Sequence, residues 1–459
     1  MRFPCLLTPH DASAGSPSPG VEGPAEPSLD QLAIDRRWPV PPPPPVRLVA
    51  ELANDAPPEL TAITSRIHAL CGGRVRVLGE PQPTDSDLRW IVALKLDALS
   101  HPLIVWLAPP TSTDVIPAGD QERPWHLSFE SQLHEDDPLT TYINLQRLLA
   151  ATAPDLRRLI DPEISRQHGP RELKPLLRPD FIELPAGCLF DTTVIPFESG
   201  KRTIRTRGLW RCHRPDLEMH DVEANAAHAA RLVLDHLAEL MLDHPPGIPG
   251  EHYQLGEHLR VTLHRADRRS NPGAIGPCAA AVVCDESPDD EEAREWSYPR
   301  RLLESVRAGE AAIYRTRRST NRQARVAQST WPRIVSWANR RATDEPRSNA
   351  GFLRLWLKVA FARPADRLGE DHEHLWFDAP PPIDPGKPKG TLLNQPAHRE
   401  DLQPGDELVL DPNAISDWII EYDSRRYGPD KIEKIEKIIR SGPHGAGLDS
   451  DANEQDPPP

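Results

Sequence analysis

No stretch of the 459 residues approaches the ~20 consecutive apolar residues that a membrane-spanning helix needs. The opening "MRFPCLLTPHDASAG" is interrupted at Pro4 before it can form the core of a secretory signal. A cytoplasmic location is the expectation. The chain also has no nucleophile elbow, no Walker loop and no dinucleotide fingerprint, so it announces none of the familiar chemistries. Cysteine is thin: Cys5, Cys71, Cys188, Cys212, Cys278 and Cys284 are scattered without the density of a disulfide scaffold, which suits a reduced chain. Basic residues are in deficit as well, 54 Lys and Arg against 69 Asp and Glu, for a formal charge of −15. That balance argues against general affinity for nucleic acid or anionic lipid.

Proline is abundant instead, with 53 residues, and Trp (11) outnumbers Phe (8). Many loops around aromatic-anchored cores are implied. Residues 1–45 form a Pro-rich leader ending in "WPVPPPPPV", a sequence biased toward extended polyproline II, and residues 441–459 form an acidic tail. Both termini are expected to be disordered. The leader is read as a spacer, with docking to an aromatic groove as the alternative. Between the termini the length exceeds one compact core.

The expected fold is α+β, multi-domain, with small antiparallel sheets each packed with helices. An N-terminal α/β region covers residues 46–200. It holds the strand-like runs "VRLVAEL", "RVRVLGE", "LRWIVALKLDA" and "HPLIVWLAP" and the helical "PELTAITSRIHAL". Residues 138–160 read as a second helical segment, divided at Pro154. A middle α/β region covers 201–317, whose clearest helix spans 221–247 with Asp221 as its cap and Pro245-Pro246 as its stop. His228, His236 and His244 on that helix stand eight apart, too far for a helical metal site, and are expected to face solvent.

An acidic block, "DESPDDEEARE" (285–295), runs into residues 300–341, which hold eleven Arg against Glu304 and Glu310. The blocks can compensate each other, with Arg stems covering apolar surface. The alternative is a polyanion (RNA) surface with Trp331 or Trp337 available for stacking. Within this stretch Ala324, Ala327, Trp331, Ile334, Val335 and Ala338 recur at helical spacing, with Pro332 as a kink or restart.

Four short runs follow the basic helix: "FLRLWLKVAFA", "EHLWFDA", "GTLLNQP" and "DELVLDP". At Lys358-Val359, Glu373-His374-Leu375-Trp376-Phe377, Gly390 to Pro396, Gly405-Asp406 and Ile415-Ser416-Asp417-Trp418 the chain resembles the bacterial domain of unknown function 2314 family. The resemblance covers about residues 318–440 and implies a self-contained helix-and-sheet unit in a bacterial protein, with no assigned activity. Upstream, residues 206–222 and the segment after Arg300 resemble the domain of unknown function 4026 region of longer members. There Thr206-Arg207-Gly208-Leu209 stands where that resemblance implies Thr-His-Gly-Leu.

Six residues of the C-terminal unit are the candidate binding residues: Glu373, His374, Trp376, Asn394, Asp417 and Trp418. If they converge on a cleft, Glu373, His374 and Asp417 supply the groups for acid–base catalysis. The plainer reading makes Asn394 a latch for backbone before Pro396, Asp417 the cap of a helix starting near "SDWII", and the tryptophans core residues. His372 and His374 project to one side of a strand, with Cys278, Cys284 or Asp371 as further ligands, but the spacing fits no standard zinc pattern. No metal and no cofactor is expected. "DKIEKIEKIIR" (430–440) reads as an amphipathic helix clasping the sheet. The expected function is a non-enzymatic module that binds a protein or a small polar ligand, with the enzyme and the polyanion binder as alternatives.

Overall fold

The computed structural model of the protein describes residues 42–53, 56–72, 75–79, 88–109, 124–153, 155–178, 181, 183–197, 199–244, 250, 252–256, 259–265, 280–285, 300–308, 316–344, 354–362, 372–422 and 425–441. The expected leader up to residue 41, the acidic tail and residues 286–295 lie outside the described residues. The chain is an α+β protein that divides between Thr316 and Arg317 into two compact units. Among the described residues, no helix is long and apolar enough to cross a membrane.

In the N-terminal unit, strands β1 (Val46–Leu52), β2 (Val75–Gly79), β3 (Trp90–Leu96), β4 (Leu103–Ala108), β5 (Trp125–Ser131), β6 (Leu156–Asp161) and β7 (Arg166–His168) form one antiparallel sheet in the order β2-β3-β4-β5-β1-β6-β7. Their period of two puts Leu48, Ala50, Val92, Leu94, Val105, Leu107, Leu127 and Phe129 in the interior. Helices α1 (Leu60–Leu70) and α2 (Pro138–Thr152) contribute Ile63, Ile67, Tyr142, Leu145 and Leu149 to the same core. Pro138 opens α2, and the Asp137 carboxylate accepts from the Thr140 N–H, a satisfied N-cap. The divided helix expected over 138–160 is corrected: α2 ends at Thr152, and Leu156–Asp161 is a strand. Leu159 and Ile160 pair with Ala50 and Val49 of β1, a tertiary pairing that overrides local helical spacing.

A second sheet in this unit has the order β11-β12-β13-β10-β9-β8, from β8 (Asp191–Pro196), β9 (Arg202–Arg207), β10 (Asp216–Val222), β11 (His252–Gly256), β12 (Leu259–Arg265) and β13 (Ala280–Asp285). It is antiparallel except where β10 and β13 run parallel. After the single turn α3 (Pro170–Leu173), helix α4 (Ala227–Asp243) buries Ala230, Val233, Leu234, Leu237 and Met241 against this sheet, joined by Leu302 and Leu303 of α5 (Arg300–Ala308). One apolar cluster runs from Val46 to Leu303 through both sheets. Asp221 does not cap α4: it lies in β10 with φ 56°, and α4 starts at Ala227 after a 3-10 turn, with Ala226 at the N-cap and no side-chain cap. His228 and His244 face solvent as expected, but His236 is partly buried, and burial lowers its pKa to about 4.

The C-terminal unit is a long helix on a six-stranded antiparallel sheet. Its strands, in the order β17-β16-β15-β14-β18-β19, are β14 (Arg354–Ala362), β15 (His372–Asp378), β16 (Lys389–Leu392), β17 (Glu407–Val409), β18 (Ile415–Tyr422) and β19 (Arg425–Tyr427). Helix α6 (Arg317–Asp344) supplies Ala327, Trp331, Ile334, Val335, Trp337 and Ala338 to a core completed by Leu355, Leu357, Val359, Leu375, Phe377, Trp418 and Ile420. It continues through Pro332, which is exposed, rather than restarting there; the Gln328 carbonyl forgoes its helical donor. Gly390 is required by space, since a Cβ there would sit 2.8 Å from the Cβ of Phe377. Helix α7 (Ile432–Ser441) closes the unit with Ile432 and Ile435 in the core.

Candidate functional site

The six candidate residues lie on or beside three strands of the C-terminal sheet, yet they form no single cleft. Glu373 and His374 are neighbours on β15 and so point to opposite faces. The Glu373 carboxylate is buried and accepts from two consecutive backbone donors, Ala397 N at 2.5 Å and His398 N at 3.1 Å. It thereby holds the chain that leaves Pro396, where the ring nitrogen offers no donor. Asn394 complements it from the other side of the loop. Its Oδ1 accepts from Trp376 N at 2.7 Å, while Leu393 N donates to the Trp376 carbonyl at 2.9 Å. The loop after β16 is stitched to β15 from both sides.

Asp417 does not cap a helix. The segment "ISDWII" is β18, an interior strand paired with β14 and β19, and a register shift opposite Lys358 and Val359 accommodates Ser416 and Asp417. The apolar run Trp418, Ile419, Ile420 fills both faces of a central strand, which removes the alternation that would distinguish it from a helix start. Asp417 Oδ1 accepts from the Trp418 N–H at 2.8 Å and from Gln323 Nε2 of α6 at 3.0 Å. Trp418 is fully buried, and its indole N–H donates to Thr330 Oγ1 at 3.0 Å.

The remaining two candidates share the other face. His374 and Trp376 alternate on β15, and Trp376 lies in register with Lys358 of β14, whose Nζ stands 5.7 Å from the indole centroid. Ser416 Oγ donates to the Lys358 carbonyl at 3.1 Å, so it receives the proton of His374 Nδ1 at 2.8 Å. Ser416 carried no sequence signal beyond its place in the motif. All three of Lys358, His374 and Trp376 are partly exposed.

Two of the helix α6 arginines are engaged within the unit. Arg322 pairs with Asp430 at 3.0 Å, and Arg333 pairs with Glu436 of α7 at 2.7 Å. Among the described residues, no group of three or more His, Cys, Asp and Glu could hold a metal ion. Cys278 and Asp371 lie outside the described residues.

This helix-and-sheet unit has a counterpart among known families. Residues 317–441 match the family described as "Uncharacterized protein conserved in bacteria (DUF2314)". The DUF2314 match coincides with the C-terminal unit and carries no activity with it. No curated protein and no solved structure matches the chain.

Sequence reasoning missed a polar cluster in the N-terminal unit. Arg211 and Asp161 are both fully buried, and Tyr142 donates to Asp161 Oδ2 at 2.7 Å. Arg211 also donates to the Leu189 carbonyl at 2.8 Å. Burial opposes the charge on Arg211, but Asp161, Tyr142 and Glu163 around it together outweigh burial and hold its pKa above the ordinary value. Burial, reinforced by the Asp161 charge, drives the Tyr142 hydroxyl well above its ordinary range. The thiol of Cys212 is pushed up to about 12 by burial, which leaves it unreactive. These residues come from α2, β6 and a 3-10 turn after β9, and no local spacing connects them.

Proposed function

We propose that the C-terminal unit is a non-catalytic binding module of a cytoplasmic bacterial protein, taking a protein or a small polar ligand on the sheet face that carries Lys358, His374 and Trp376. One observation supports it above others: both carboxylates of the candidate set, Glu373 and Asp417, hold main-chain N–H groups. A carboxylate that accepts from two donors of its own fold has those lone pairs turned away from a substrate. Trp418 lies inside the fold and walls no cleft. An aromatic ring flanked by an ammonium and an imidazole remains, a combination suited to recognition of a polar or anionic group.

The test is capture of cellular components on the immobilised full chain, compared with its Trp376→Ala and Lys358→Ala variants at matched circular dichroism. Retention by the parent and loss from both variants is the expected result. Equal retention by all three, or chemical conversion of a retained component, would overturn the reading.

A further inference from the structure

Strand β2 (Val75–Gly79) stands at one end of the seven-stranded sheet, paired with β3 on one side and with no strand on the other. Among the described residues, the N–H and C=O groups of its outer side meet no partner. Such an edge accepts a further strand unless charge, proline or a cover discourages it. The edge strands β7 and β19 carry Arg side chains, and β8 ends in Pro196. Strand β2 differs from the other described edges: two consecutive large apolar side chains, Val77 and Leu78, are 58% and 50% exposed.

The two side chains lie on opposite faces. Val75 and Val77 stand across from Leu96 and Leu94, which are buried in the core that α1 and α2 complete. Leu78 follows Val77 and so points to the other face. The register shifts between Val77 and Gly79, which leaves Leu78 without an opposite residue on β3. A ligand lying on either face would cover only one of the pair. A strand added in the plane of the sheet covers both, and it also supplies partners to the outer N–H and C=O groups.

Charge selects the strand and its register. Arg76 is the one charged side chain of β2 and already faces Lys95 across the ladder. An added strand must therefore keep cations away from Arg76 and bring apolar residues to both faces. The β2 edge of a second copy meets both conditions in one antiparallel register. Centred on Val77, it sets Val77 against the second copy's Val77 and Arg76 against the second copy's Leu78, whose surface the Arg stem covers. Centred on Arg76, it would put the two guanidinium groups side by side, which is destabilising.

We propose that β2 is a self-association surface: the β2 edges of two copies pair antiparallel about a two-fold axis normal to the sheet and centred on Val77, joining two seven-stranded sheets into one. A contact of one five-residue strand per copy is smaller than the ~1,200 Å² at which standard interfaces begin, so the dimer is weak and depends on concentration.

Sedimentation equilibrium of the full chain over a concentration series tests this. The mass should rise toward twice that of one chain. Hydrogen exchange at the outward N–H groups of β2 should slow as concentration rises, while the N–H groups bonded to β3 stay unchanged. Leu78→Lys sets a cation against the second copy's Arg76 and should abolish the rise in mass; Leu78→Glu sets an anion there and should keep it. Leu78 is exposed, so both variants should match the parent's circular dichroism. A chain that stays monomeric throughout, a dimer that survives Leu78→Lys, or equal loss in both variants would overturn the proposal. Should a variant not fold, the parent's exchange decides, since outward β2 amides that ignore concentration have the same force.

Discussion

The Arg211 guanidinium and the Asp161 carboxylate face each other with no solvent contact, Nη1 lying 2.8 Å from Oδ2 and 3.0 Å from Oδ1. They join β6 of the first sheet to the 3-10 turn that follows β9 of the second, at the point where the two sheets share one core. Removing one partner strands the other charge in the interior, at a cost of about 3–5 kcal/mol. Arg211→Ala and Asp161→Ala should each lower the unfolding free energy of the N-terminal transition by that amount. The double variant should cost less than the sum, because neither charge is then left alone. Denaturant unfolding of the four proteins checks this, and strict additivity would show that the pair is not coupled.

Trp418 and Thr330 make a smaller version of the same test in the C-terminal unit. Thr330→Val preserves shape while removing the acceptor of the buried indole N–H, and it should destabilise the unit by about 1–3 kcal/mol. Trp418→Phe removes the indole donor itself but also shrinks a fully buried side chain, so a cavity cost adds to the loss of the bond. In the Thr330→Val background, Trp418→Phe should therefore cost less than in the parent. Equal costs in both backgrounds would mean that the bond contributes nothing.

The helix-plus-four-runs pattern of the C-terminal unit was legible because α6 carries its apolar residues at helical spacing and its first strands are bounded by Pro, Gly and Asp. "ISDWII" was not, since a strand buried on both faces shows no alternation, and Trp418-Ile419-Ile420 suits a helix start equally well. The reading of Asn394 as a latch starts from the missing donor of Pro396, a local fact, whereas its Oδ1 in the fold accepts from Trp376 N, a partner on another strand that the local sequence does not name. The partners of Glu373 and Asp417 come from elsewhere in the unit, Glu373 holding the backbone of a loop and Asp417 receiving Gln323 of α6. In the N-terminal unit, Leu156–Asp161 became a strand because β1 was available to pair with it, and nothing within those residues says so. The Tyr142, Asp161 and Arg211 cluster is silent in sequence for the same reason: its members are distant along the chain, and ion-pair partners chosen by tertiary folding leave no periodicity.

Acid should weaken the N-terminal unit through its histidines. Burial lowers the pKa of His236 to about 4, and burial also lowers those of His101, His126, His168 and His213. A histidine whose folded pKa is depressed binds its proton more readily when unfolded, so stability is complete above the ordinary value of about 6.5 and declines as pH falls toward the folded pKa. For His236 the decline should extend from about pH 6.5 to about 4. His236→Gln should flatten that part of the stability profile while leaving stability at pH 8 within about 1 kcal/mol of the parent. A parent profile that rises steadily from pH 7 to pH 4 would contradict the assignment.

Glu373 gives the sharpest separation between an anchoring group and a reacting one. Its carboxylate accepts from Ala397 N and His398 N, both on an exposed stretch where water can replace a lost acceptor. Glu373→Ala should therefore cost only about 1–2 kcal/mol overall but should raise hydrogen exchange at Ala397 and His398 by tenfold or more, ~1.4 kcal/mol of local stability. Glu373→Gln keeps one oxygen acceptor and loses the charge assistance, so its effect on the two amides should fall between parent and alanine. The core amides of β15 should exchange as in the parent in both variants, since Leu375 and Phe377 remain packed beneath α6. If instead both amides stay protected in Glu373→Ala, the carboxylate is not what holds the loop, and the anchoring role assigned to it fails.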